Sequence, residues 1–244
     1  MSFPMPSMAA TIERRLLINY RLDSLIAQNL LPASLRPQLV DGSAVAGICL
    51  LRLGSFRPKF VRSELGWGAE NAAHRIAVEW DDADGTHSGV YVPQRHSASW
   101  VPVIAGARVF PGVHHHARFD VTEDDGRFQV EMRAPGVNVA VDVAISSTWS
   151  STLFATLADA SAFFRSGSVG WSPNRYGKLE GLRIDTDSWK VEAGSDHRVE
   201  SSFFNALPAG AAEFDCVLVM RNVPIVWSLP RGAAPGSSEM PTAS

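Results

Sequence analysis

Short apolar segments of β-strand type, separated by turns rich in aspartate and glycine, dominate this sequence. Between residues 73 and 80, apolar side chains alternate with polar or small ones, which is the period of a half-buried strand. The turn sequence DDADG at 81–85 follows, and a second strand-type segment at 88–93 completes a hairpin. The pattern recurs where EDDG separates residues 114–121 from 127–133. Local pairs of this kind predict an antiparallel sheet.

Helical patterns are fewer and shorter than the strand patterns. Ser7 precedes apolar residues at helical spacing, so we predict a short amphipathic helix at the N-terminus. Asp23 is positioned to cap a second helix over residues 24–30, and a third is predicted over residues 150–165. The further strands that we predict cover residues 40–53, where two glycines mark a bend, 137–145 and 216–226.

Composition supports one globular domain. Hydrophobic residues make up 45% of the 244 residues and charged residues 19%, which is enough apolar material for a substantial core. No change of composition or internal repeat divides the chain, so we expect one domain over residues 1–230. Residues 231–244 combine Gly, Pro, Ser and Ala without periodicity and are expected to form a flexible tail.

Several classes of function are disfavoured by the sequence. The net charge of −3 and the lack of a basic patch argue against nucleic-acid binding. The longest apolar run, residues 44–51, is far shorter than a membrane span, and no secretory signal is readable. Cys49 and Cys216 stand far apart, which suits small core residues in a reducing cytoplasm. Motifs that bind nucleotide phosphates are missing, and we expect no cofactor.

Three consecutive histidines, His114, His115 and His116, are the most unusual local feature. If residues 113–121 form one strand, His115 shares a face with Val113, Ala117, Phe119 and Val121 and should point into the core or a pocket. There it is either a buried histidine bonded to backbone or a functional group. His114 and His116 share the other face with Arg118 and Asp120. They either lie in solvent there or bind zinc, for which the sequence shows no third ligand nearby.

Arg75 lies on a predicted strand whose opposite face is apolar. Such an arginine either extends its head group to solvent or enters a pocket, where its planar fork binds a carboxylate at two points. Glu70 is a further candidate for the pocket or its rim. Tyr91, Arg95 and Arg108 are weaker candidates, and Arg95 also fits an exposed hairpin position.

The order of motifs along the chain resembles the acetoacetate decarboxylase superfamily, and most closely its branch called domain of unknown function 2071. The resemblance covers about residues 10–230. It implies a mainly β (α+β) fold, namely a single-domain, antiparallel, cone-shaped β-barrel with a few peripheral helices, which often forms homo-oligomers. The motifs are VDGSAVAGICLLRL, FRP at 56–58, AENAAHRIAVEW, SGVYVPQR, AGARVFPGVHH, RYGKLEG, SSFF and MRNVPIVW.

The resemblance also implies where the family's chemistry should lie. Arg108 matches the family arginine, and the two consecutive family lysines fall on His115 and His116. The catalytic glutamate of the family falls near Arg75. An imidazole cannot form the imine that a lysine amine forms with a β-keto acid. The chain therefore departs from the decarboxylase pattern at both key positions.

Only three of the 22 basic residues are lysine, namely Lys59, Lys178 and Lys190, and none falls on the strand expected to hold an imine-forming amine. Two hypotheses follow. In the first, the chain binds or transforms a small organic (keto) acid, with His115 and Arg75 as catalytic residues and Arg108, His116, Tyr91 and Glu70 contacting the substrate. In the second, it is a non-catalytic ligand-binding or structural homologue.

Overall fold

A single curled β-sheet forms most of the molecule. The computed structural model describes residues 7–60, 67–100, 111–230 and 234–236. The three helices of this part are α1 (Ser24–Asn29), α2 (Leu157–Ser166) and α3 (Ser202–Asn205). Its strands are β1 (Met8–Leu22), β2 (Arg36–Pro37), β3 (Leu39–Val40), β4 (Ser43–Pro58), β5 (Trp67–Asp82), β6 (Gly85–Ser97), β7 (His114–His116), β8 (Arg118–Asp124), β9 (Arg127–Ala134), β10 (Val137–Ile145), β11 (Val169–Pro173), β12 (Leu179–Asp185), β13 (Glu192–Ser201) and β14 (Ala212–Ser228).

Seven strands follow one another in a ring, in the order β1, β4, β5, β6, β11, β12 and β14, and β14 pairs with β1 to close it. Strands β13, β10, β9 and β8 extend the sheet outward from β14. Strand β6 pairs in parallel with β11 and with β7, whereas the other pairs are antiparallel. The predicted mainly β, mostly antiparallel architecture is confirmed, and the sheet curls in a ring.

The two faces of the ring carry different cores because side chains alternate along each strand. Leu16 and Ile18 of β1 face outward and pack with Val130 and Met132 of β9, so the extension covers the outside of the ring. Leu17 faces inward and belongs to a second cluster, which also contains Ala160 and Phe164 of α2. A third cluster, which includes Ile12, Leu53, Leu182, Met220, Ile225 and Trp227, lies on the same inner side of β1.

The predicted N-terminal helix is wrong, because residues 8–22 form strand β1. Every side chain from Leu16 to Tyr20 is buried, since both faces of this strand are covered. A strand that is buried on both faces reads as a nearly continuous apolar run, which periodicity cannot distinguish from a buried helix.

The structure contains helices at both of the other predicted places. Helix α1 is confirmed, and the Asp23 carboxylate accepts hydrogen bonds from two backbone amides of its first turn. The third predicted helix begins later than expected, at Leu157, behind a capping box between Thr156 and Asp159. The hydroxyl groups of Ser151 and Thr152 donate to Asp215 of β14 instead of capping a helix.

A buried histidine cluster lies on the outer face of the ring, between β5 and the residues that cover it. The His74 side chain is fully buried, its Nε2 lies 3.4 Å from the Ser201 hydroxyl, and its ring packs 4.8 Å from that of Phe203. Burial, and then the proximity of His96, lower the pKa of His74 to about 3. Burial lowers the pKa of His96 to about 4, with a further contribution from His115.

We expect the protein to lose stability as the pH falls below 6.5. An unfolded histidine titrates near pH 6.5 whereas His74 stays neutral to about pH 3, so the unfolded state binds more protons between these values. Between pH 7.5 and pH 5, the free energy of unfolding should therefore fall by about 2 kcal/mol less in His74→Gln than in the wild type. Urea unfolding of wild type, His74→Gln and the exposed control His197→Gln at both pH values measures this; an unchanged pH dependence in His74→Gln would contradict it.

Candidate functional site

The inside of the ring contains a cavity of about 320 Å³, at the small end of the usual range of ligand pockets. Strands β1, β4, β5, β6, β11, β12 and β14 all contribute to its wall, together with the end of α2. We call it the ring cavity. Five arginines contribute to its polar wall: three, Arg15, Arg75 and Arg95, are buried or partly buried, and two, Arg165 and Arg183, are exposed. Its apolar wall includes Ile12, Leu51, Leu182, Met220, Ile225 and Trp227.

Arg75 is the most buried of Arg15, Arg75 and Arg95, with 4% of its surface exposed. Its Nη2 donates to the side-chain oxygen of Asn19, and its guanidinium lies 4.7 Å from the centre of the Phe164 ring. A register shift in β1 occurs beside Asn19, whose amide nitrogen donates to the backbone oxygens of Leu17 and Cys216 and so orients the side chain. Burial lowers the pKa of Arg75 to about 10, which leaves it charged at neutral pH.

Arg95 and Arg15 complete the positive wall. The Arg95 Nε donates to the Ser172 hydroxyl at 2.8 Å, and burial lowers the pKa of Arg95 to about 10. The Arg15 Nε donates to the Cys49 sulfur at 3.2 Å. The sequence interpretation of Arg95 as an exposed hairpin residue is wrong, because its side chain enters the ring.

Within the part of the chain that the structure covers, none of these three arginines forms a salt bridge, although nine other arginines do. Asp185 is the single carboxylate among the described lining residues, and it accepts a hydrogen bond from Arg183 at 2.8 Å. The interior of the ring cavity therefore carries an excess of positive charge. Buried charge without a counter-ion is costly, so the cavity favours an anion.

A side pocket of about 50 Å³, lined by His96, His114, Asn71 and Leu53, adjoins the ring cavity and shares Arg95 with it. Burial, followed by the positive charge of Arg95, lowers the pKa of His114 to about 3. The imidazole is therefore neutral at neutral pH, and its Nε2 lies 3.3 Å from the backbone oxygen of Pro111.

The prediction that His115 points into the core or a pocket is wrong, because its side chain is exposed. Strand β7 ends at His116 and Ala117 interrupts the chain before β8, so the alternation of β8 does not continue back to the histidines. Parallel pairing with β6 places His114 opposite Arg95 and His115 opposite His96. A shift of one residue exchanges the two faces of a strand, which brings His114 to the side pocket.

The remaining predicted contact residues lie outside the described wall of the ring cavity or outside the described residues. Tyr91 is buried in the outer core, where burial raises its pKa. His116 stacks on Trp100 with ring centres 4.1 Å apart. Arg108 falls outside the residues that the structure describes. The predicted tail does so as well, apart from residues 234–236.

Glu70 belongs to an ion-pair network on the outer face of the ring. Its carboxylate accepts hydrogen bonds from the buried Arg14 and, at 2.6 Å, from Arg52. Arg14 also pairs with Glu123 of β8 at 2.5 Å, so the network links three strands of the ring with the extension. Glu70 is therefore placed to hold strands together, and it is not among the residues that line the ring cavity.

Glu70→Ala tests this structural role. Removing one partner of a buried ion pair leaves Arg14 partly uncompensated, so we expect a loss of about 3–5 kcal/mol in the free energy of unfolding. The control Glu213→Ala breaks an exposed pair with Arg21 and should cost about 1 kcal/mol or less. Chemical denaturation measures both; equal small losses, together with weaker binding of an organic acid, would instead support the predicted substrate contact.

Arg15 and Cys49 line the ring cavity but were not predicted as site residues from the sequence. Arg15 lies within the segment that was predicted as a helix, and Cys49 resembles any small core residue. Strand alternation offers one signal, since Arg15 and Leu17 share the inner face of β1 and Cys49 lies opposite Leu17.

Neither a metal site nor a membrane-spanning helix is found in the described ranges. No group of three or more His, Cys, Asp or Glu residues has the arrangement of a metal site there. In the same ranges, no helix has both the length and the apolar character required to span a membrane.

The fold is that of acetoacetate decarboxylase-like enzymes. Acetoacetate decarboxylase from Legionella pneumophila superposes with a TM-score of 0.59 at 12% identity, over 94% of this chain and 87% of that one. An acetoacetate decarboxylase-like enzyme from Sphingomonas wittichii gives 0.57 at 14% identity, over 93% and 92%. The enduracididine biosynthesis enzyme MppR complexed with pyruvate gives 0.53 at 13% identity, over 93% and 90%. No curated protein matches the sequence.

The model of the DUF2071 family, described as uncharacterized conserved protein, matches residues 9–216. The chain therefore belongs to this family, as the order of its motifs predicts.

Proposed function

We propose that this protein binds a small organic acid, of the 2-oxo or 3-oxo carboxylate class, in the ring cavity. The observation that carries the proposal is the set of three arginines, Arg15, Arg75 and Arg95, that face one cavity without an ion-pair partner among the described residues. A planar guanidinium binds a carboxylate at two points, and such charge-assisted hydrogen bonds are strong.

The apolar wall defines the rest of the ligand. Met220, Ile225 and Trp227 offer dispersion contacts to the apolar part of a ligand. A ligand with one anionic group and a short apolar body matches both walls. MppR, which shares the fold, has been crystallised with pyruvate, an acid of this class.

The proposed ligand is held without a lysine imine. Lys59, Lys178 and Lys190 are all exposed, and none of them lines the ring cavity. His114 brings an imidazole close to Arg95, but its lowered pKa makes it a weak base. We therefore assign His114 a hydrogen-bonding role toward the ligand's carbonyl group, and binding, rather than proton transfer, is the activity that the cavity supports best.

Titration calorimetry with pyruvate and phenylpyruvate, against the uncharged amide pyruvamide, tests the proposal. We expect the acids to bind and the amide to bind weakly or not at all. Arg75→Gln and Arg95→Gln should each weaken binding about 10–100-fold, because a hydrogen bond to a charged group contributes about 1.5–3 kcal/mol.

Arg175→Gln is the matched control, because this exposed guanidinium lies over Tyr176, away from the cavity. Its affinity for the acids should equal that of the wild type. Equal affinity for acid and amide, or wild-type affinity in both cavity variants, would refute the proposed site. Urea unfolding of each variant shows whether an affinity change comes from loss of fold.

Incubation with acetoacetate and borohydride tests the expected lack of imine chemistry. The mass of the protein should not change, because no lysine amine reaches the ring cavity. Intact-mass spectrometry followed by peptide mapping gives the readout. A stable adduct on Lys59, Lys178 or Lys190 would show that imine chemistry occurs.

A further inference from the structure

Cys49 occupies the wall where the ring cavity and the side pocket meet, and it lines both. It lies on the inner face of β4, opposite Leu17 of β1 and Ala73 of β5, and Ala73 in turn lies opposite Arg95 of β6. Its side chain retains 7% exposure.

The surroundings of the Cys49 sulfur are positively charged. The Arg15 Nε donates a hydrogen bond to it at 3.2 Å. Burial lowers the pKa of both Arg75 and Arg95, whereas the Cys49 sulfur acts in the opposite direction on both, as expected for groups that lie close together. Reactive cysteines in proteins lie in electropositive surroundings of this kind.

A second observation points to an anionic ligand beside this sulfur. The Nε of Arg75, which is 96% buried with its side chain in the same cavity, has no hydrogen-bond partner within the described ranges. A buried donor without a partner is costly, and an anion in the cavity would satisfy it.

Cys216 provides an internal contrast. Its side chain is 2% exposed and is not among the residues that line either cavity. Burial and then the negative charge of Asp215 raise the pKa of its thiol. The two cysteines of the chain thus lie in opposite electrostatic environments.

We propose that Cys49 is a nucleophile that reacts covalently with small electrophilic carboxylates held by the cavity arginines. The anion preference of the reaction rests on the carboxylate site proposed above, whereas the nucleophilicity rests on the contact with Arg15. With a 2-oxo acid, sulfur bonds to the carbonyl carbon, the π electrons move to the carbonyl oxygen, and the thiol proton ends on that oxygen. The product is a reversible hemithioketal, and no oxidant or reductant is required.

Alkylation by iodoacetate and by its neutral analogue iodoacetamide tests this proposal. With either reagent a sulfur–carbon bond forms, iodide leaves with the electrons of the carbon–iodine bond, and the thiol proton passes to solvent. In the folded wild-type protein, we expect iodoacetate to modify Cys49 about tenfold faster than iodoacetamide does, because positive clefts concentrate anions. Cys216 should stay unmodified, as followed by peptide mapping over time.

Cys49→Ser should abolish the modification, and Arg75→Gln should remove the preference for iodoacetate. In 8 M urea, as a control, Cys49 and Cys216 should react alike and without preference for the anion. Three results would overturn the proposal: no alkylation of Cys49 in the folded protein, faster reaction with iodoacetamide, or equal reactivity of the two cysteines. Because the wild-type comparison needs no substitution, a variant that fails to fold does not affect it.

The outcome is separable from that of the binding experiment. If pyruvate and phenylpyruvate do not bind in calorimetry but Cys49 still prefers iodoacetate, the oxo-acid proposal fails and the reactive cysteine stands. If the acids bind and Cys49 does not react, the cysteine proposal alone fails. Saturating phenylpyruvate should slow the alkylation when both are correct, since the two reagents compete for the same arginines.

Discussion

Closure of the ring between β1 and β14 is the constraint on which the rest of the structure depends. Strand β1 pairs with β4 on one side and with β14 on the other over most of its length. Closure removes the free edges of both strands and turns the inner faces of seven strands toward one volume. Because Gly47 lies where β4 approaches β1, a side chain there would collide with the backbone oxygen of Ile18, 2.3 Å from a Cβ. The close approach of these strands therefore requires glycine.

The ring cavity has a polar wall because arginines alternate with core residues on adjacent strands. Arg15, Arg75 and Arg95 line the ring cavity, whereas their buried sequence neighbours Arg14 and His74 lie on the outer face of the ring. The arginines on the two faces of the ring differ in whether they have carboxylate partners. On the outside, Arg14 meets the carboxylates of Glu70 and Glu123, whereas the described inner wall offers the arginines no such partner. That difference is the physical basis for placing an anionic ligand inside the ring.

Local patterns predicted much of the fold, because hairpins form between neighbours in sequence. The alternation before and after DDADG identified β5 and β6, and the EDDG turn identified β8 and β9. The prediction failed at β1, because both faces of that strand are covered by parts of the chain that are distant in sequence. The sequence left Arg75 either extending to solvent or entering a pocket, and the structure places it in the wall of the cavity. The faces of the histidines were assigned from one continuous strand, but the strand is interrupted at Ala117.

The sequence by itself determined the β-rich class of the chain, its family membership and the positions of its lysines, because these depend on composition, local periodicity and the order of motifs. The scarcity of lysine already disfavoured imine chemistry before any contact was known. Only the tertiary structure decided which arginines share the ring cavity, that His114 rather than His115 lines the side pocket, and that Cys49 lies beside Arg15. These relations depend on register between strands that are far apart in sequence, and a shift of one residue would reverse every inward and outward face.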